Sequence, residues 1–282
     1  MKKFSVYMLL LFSVITVFAT ENEKTKYEQK IVDGSIDWSS KVLSIISGGA
    51  PDINSSDIIS ARLSSERSVI KNAVSRTEKA FSGMRLYRNM SVKDFMDDSD
   101  RVRISLERYI SSSDPFSRRY FSDGSVEFIF RISFESVINT MALRFYKHMK
   151  TSSDEEEKEA KNRVVIPEDG SERKKILVIN MKNFNFTPAL FPVVESEDSE
   201  IVYDILSTGM DSYGKGIVHY AVRNAERVIE EIAGTGSELV VSASKIKDDN
   251  TIVISRKDVD NIKSKLKADA FRKGNVILLF PK

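Results

Sequence analysis

Apolar and polar positions alternate most regularly at Val126, Phe128, Phe130, Ile132 and Phe134, with Glu127, Arg131 and Ser133 between them. That period of two predicts a half-buried strand, and Asp123-Gly124 before it marks a hairpin turn. A second strand, or a pair with a tight turn near Ser39, is predicted over Ser35 to Ser47 and ends at Gly48 and Gly49. Between them, Asn54 to Asp57 offers caps for a long helix whose Ile59, Leu63, Ile70, Val74, Thr77 and Phe81 recur at helical steps, with Gly83 as its stop. Ser99 and Asp100 open a shorter helix with Val102, Leu106 and Tyr109 aligned before Pro115. A helix from Glu135 to Tyr146 is expected to lay Val137, Ile138, Met141, Leu143 and Phe145 on the first sheet.

The pattern then changes. Residues 151–173 are dominated by charge, with Pro167 and Gly170 as breakers, and read as a linker. Beyond it, apolar runs at Ile176 to Ile179, Ala189 to Ser196, Ile217 to Val222, Glu238 to Ile246, Thr251 to Ser255 and Val276 to Phe280 read as strands. Helices are expected around Ala225 to Ile232 and from Asp258 to Phe271. The fold class is therefore α+β: two small domains, each a mostly antiparallel sheet with helices packed on it, at 20–150 and 174–282, joined by the charged linker.

The first nineteen residues carry two lysines, an apolar run from Val6 to Phe18 and a small Ala19, the pattern of a secretory signal peptide. The run falls short of the roughly 20 residues a bilayer span needs, so no integral span is expected after cleavage, although retention of residues 4–18 as an anchor is the competing reading. With Lys2 and Lys3 gone, 41 basic side chains balance 41 acidic ones, which argues against a nucleic-acid partner. The chain has no cysteine, which removes disulfides, thiolate metal sites, cysteine nucleophiles and the acceptor of a lipid anchor. A periplasmic or outer-envelope protein is the expectation.

No residue cluster announces a reaction. Gly209 to Gly216 meets all but the last position of a phosphate-binding loop, but Gly216 stands where the magnesium-holding hydroxyl belongs and a strand follows instead of a helix. Asp94, Asp97, Asp98 and Asp100 lack the glycine and closing glutamate of a calcium loop and read as helix caps. His148 and His219 have no partners at metal or triad spacing. Neither a cofactor, a metal nor a catalytic residue is expected. Lys245 to Lys282 carries ten basic side chains against five aspartates, read as a solvated helix face.

Several stretches carry a family pattern. Val32 to Trp38, then Gly48 and Gly49, lead into the helix from Ala61. Pro188, Ala189, Leu190 and Pro192 follow a hydrophobic strand, and Tyr213 to Gly216 comes later in the same order. In these the chain resembles a bacterial envelope family that includes lipoprotein 20 and the flagellar accessory protein T. The signature positions Trp38, Gly48, Gly49, Pro188, Leu190, Pro192, Gly214 and Gly216 are strand and turn residues. The resemblance implies a non-enzymatic assembly or structural factor whose partners are other envelope or flagellar basal-body proteins, with a homo-oligomer open to it. The alternative is a periplasmic enzyme or small-ligand-binding protein whose site is assembled from distant residues.

Overall fold

A computed structural model describes residues 26–55, 57–96, 104, 108, 111–151, 162–168, 173–234 and 236–281. The leader, most of the helix opened by Ser99, the aspartates at 97, 98 and 100, and most of the linker lie outside the described residues.

The first sheet has five strands. Strands β1 (Glu28–Ile31) and β2 (Gly34–Asp37) form a hairpin, and β3 (Val42–Gly49) follows after the turn at Trp38. Helix α1 (Ile58–Ser82) comes next, capped by Asp57, whose carboxylate accepts the amides of Ile59 and Ser60. A short hairpin of β4 (Arg85–Tyr87) and β5 (Met90–Ser91) leads into helix α2 (Val92–Met96). Strands β6 (Ser117–Tyr120) and β7 (Val126–Ser133) complete the sheet, in the order β1-β2-β3-β7-β6, antiparallel throughout. The alternation in β7 is as its pattern predicts, with Val126, Phe128, Phe130 and Ile132 all buried.

On α1 the buried stripe is Ser65, Val69, Ala73, Thr77 and Phe81. Ile59 and Leu63, assigned to the core face from their spacing, stand on the surface instead. Small residues take the inner face because α1 approaches β3 closely: a Cβ on Gly49 would lie 2.1 Å from the Ser65 carbonyl.

Helix α3 (Glu135–Thr151) is longer than expected and packs elsewhere. Its Ile138, Met141, Ala142 and Phe145 are buried, whereas Leu143 is exposed. Its ring partners come from both halves: Phe145 touches Tyr87 and Phe95 and stacks on Phe191 at 5.8 Å, and Tyr146 meets Tyr213 at 6.1 Å.

The second sheet holds β8 (Ile176–Asn180), β9 (Val193–Ser196), β10 (Ile201–Tyr203), β11 (His219–Val222), β12 (Glu238–Lys247), β13 (Thr251–Ile254) and β14 (Val276–Phe280), ordered β10-β9-β13-β12-β8-β14-β11. Over all the described sheets antiparallel pairs outnumber parallel ones by seven to four, and the molecule is α+β. This second sheet is mixed, however: β11, β14, β8 and β12 run parallel to one another, as do β13 and β9, while the β12–β13 and β9–β10 pairs are antiparallel. Parallel strands are covered on both faces, which is why β8 and β14 are almost wholly buried runs of Ile, Leu and Val. Helix α4 (Glu226–Ala233) covers one face with Ile229. The helix expected over Asp258 to Phe271 is two, α5 (Arg256–Lys265) and α6 (Ala268–Arg272), because Lys174 bonds the backbone of Lys265 and Lys267 at the break.

One cluster of buried apolar residues runs from Ile36 in the first sheet to Phe280 in the second. Arg163 anchors the chain's return to the second half by a two-pronged pair with fully buried Asp204, both contacts 2.7 Å. Among the described residues, no helix is long and apolar enough to cross a membrane.

Candidate functional site

Two of the signature residues, 150 positions apart, meet at one cleft. Trp38 is nearly buried and is held by its ring N–H, which donates to the Gln29 side chain at 3.0 Å. Pro188 reaches it on a loop stitched to β4: the amides of Leu190 and Phe191 donate to the carbonyls of Arg85 and Leu86 at 2.9 and 2.8 Å. The buried Tyr220 hydroxyl donates to the Ala189 carbonyl at 2.7 Å and pins the same loop from the second sheet. Between the β1–β2 hairpin, the end of α1 and this loop lies a cavity of about 220 Å³, floored by Ile36, Trp38, Met84 and Pro188. Its rim carries Arg76, Lys79 and Arg85 against one carboxylate, Asp33, which Arg76 holds at 3.2 Å.

The other signature residues have structural work. Gly49 permits the close approach of α1, whereas a Cβ on Gly48 would make ordinary contact with the Val126 carbonyl at 3.8 Å. Leu190 and Pro192 are buried behind the cleft loop. Gly214 lies within a 3-10 helix, Met210–Lys215, that Gly216 caps, and faces Asn139 of α3. This segment, the near-match to a phosphate loop, turns into strand β11, so no helix N-terminus points into it.

Gly216 has positive φ, and a Cβ there would come within 2.8 Å of the Lys41 chain. Lys41 itself sits at φ 54 in the β2–β3 turn, and burial lowers its amine below the usual lysine range, with Glu135 opposing. His219, at the start of β11, is partly buried; desolvation, then Lys41 and Lys215, pull its pKa from 6.5 down to about 4. His148 lies in the last turn of α3 with its ring edge toward Phe95. Asp94 accepts the amide and hydroxyl of Ser91, a cap for α2. No group of three or more metal-binding side chains occurs among the described residues.

A different surface lies at the far edge of the first sheet. All four residues of β6 are exposed, and in the strand order β6 stands at the end. Beside it, Tyr120 donates to Glu66 at 3.1 Å and takes the Arg62 guanidinium over its ring at 5.3 Å. Ile53, Ile59 and Leu63, before and along α1, and Phe121, just after β6, are exposed, Ile53 by 95% and Ile59 by 71%. Sequence spacing singled out none of Arg76, Lys79, Arg85, Arg118 or Arg119.

Residues 176–282 match the family model described as Treponema pallidum Tp0624, second domain, a bacterial family. The matched stretch is the mixed sheet with its helices, from β8 to the end of the chain. No curated protein matches the chain.

Proposed function

We propose that this is a non-enzymatic exported protein of the bacterial cell envelope that acts by protein–protein contact. It would be an assembly or structural factor of the kind implied by the resemblance to lipoprotein 20 and flagellar accessory protein T. The leader-like residues 1–19 and the cysteine-free chain support export. The observation that carries the contact reading is the exposed edge strand β6 with its flanking apolar residues.

An edge strand offers unpaired backbone groups to an added strand. Arg118 and Arg119 on that edge disfavour a second copy of the same strand, since like charges facing each other across a pair are destabilising. Their own ion pairs, with Asp114 at 2.8 Å and Glu127 at 3.1 Å, are solvent-exposed and weak. The partner we infer is an extended segment of another envelope protein that carries acidic side chains.

Photo-crosslinking from position 117 in intact cells, followed by fractionation, tests this. The expected result is one adduct of defined mass in the envelope fraction, lost in the Arg118→Glu/Arg119→Glu double variant while its circular dichroism is unchanged. Recovery of the uncut chain among cytosolic proteins would overturn the reading, as would an adduct indifferent to the charge reversal.

A further inference from the structure

The cleft at Trp38 combines a greasy floor with an unbalanced mouth. Ile36, Trp38 and Met84 are each no more than 3% exposed yet line its 220 Å³. An apolar cavity of about 150 Å³ is enough to hold a benzene ring, so this one has room for a ring or a short acyl chain. Of its charged groups, Arg76 and Asp33 neutralise each other, which leaves Lys79 and Arg85. Lys79 has no ion-pair partner among the described residues, and Arg85 spends one N–H on the Asn89 carbonyl, with further donors to offer.

We propose that this cleft binds a small amphiphilic carboxylate, its apolar part against Trp38 and Pro188 and its carboxylate at Lys79 and Arg85. Asp94 lies within electrostatic reach of Arg85, so a neutral apolar molecule would leave Lys79 in particular without a counter-charge, and a cationic one would be repelled. A bare inorganic anion would leave the floor in contact with water. The inference does not depend on the β6 surface or on any partner protein.

Trp38 is the single tryptophan of the chain, so its fluorescence reports on the cleft alone. Octanoate is the probe, with octanol and octylamine as controls of equal length, and titration calorimetry as an independent readout. Octanoate should shift Trp38 emission saturably, with a dissociation constant of about 1 mM or tighter. Octanol and octylamine should bind at least about tenfold more weakly, and Lys79→Met/Arg85→Met should cost at least about tenfold as well. Ala80→Leu, which fills the cleft and leaves its charges in place, should abolish the signal. Octanol binding as tightly as octanoate, octanoate binding unaffected by Ala80→Leu, or no saturable binding by either method would each overturn the proposal.

Discussion

At His219 a single ring reports on how the two halves meet. Its imidazole is held down to about 4 by burial and by the cations of Lys41 and Lys215, with Glu135 close to Lys41 on the other side. An unfolded chain takes up this proton near pH 6.5, while the folded chain refuses it until about pH 4. Across that window the unfolded state binds more protons, so stability falls as pH drops from 6.5 toward 4 and is level above it, as far as this group is concerned. The difference amounts to about 3 kcal/mol at most. Urea unfolding at a series of pH values should show the loss in the native chain and a flatter profile in His219→Gln. An equal slope in both would assign the acid sensitivity to other groups.

Among the elements, the seam between α1 and β3 makes the sharpest demand on sequence. Gly49→Ala would drive a methyl into the Ser65 carbonyl, whereas Gly48→Ala has its nearest neighbour, the Val126 carbonyl, at 3.8 Å. The first should cost about 2 kcal/mol or more and the second under about 1 kcal/mol, in thermal melts of the two variants. The same seam explains why spacing gives only part of the α1 face: Thr77 and Phe81 are buried and Ile70 and Val74 pack on the core, but Ile59 and Leu63 do not. Apolarity marks a packed stripe only when the partner surface stands off at ordinary distance, and here Ser65, Ala73 and Thr77 do the packing while Ile59 and Leu63 face outward. Strand β7 was legible because one face is wet and one is dry. In β8 and β14 the unbroken apolar runs revealed strands without their direction, since burial on both faces erases the alternation. Trp38 and Pro188 were each legible as positions of note in the sequence. Their meeting was not, because the bonds of Leu190 and Phe191 to β4 create it.

Across the whole molecule, Phe145 joins what the chain order separates. Its ring stacks on Phe191 and touches Tyr87 and Phe95, so α3 belongs to a core shared by both sheets. Phe145→Ala should therefore cost about 3–5 kcal/mol and lower the melting of both halves together. Calorimetry of the native chain should give one transition, and two well-separated peaks would sink the idea of a shared core. The contact of Tyr27 with Phe280, ring centres 4.3 Å apart, sets the order of events during synthesis. The β1–β2 hairpin can pair with β3 as soon as both are made, but Tyr27 cannot reach this neighbour until β14 has emerged from the ribosome, so this contact between the two sheets closes last.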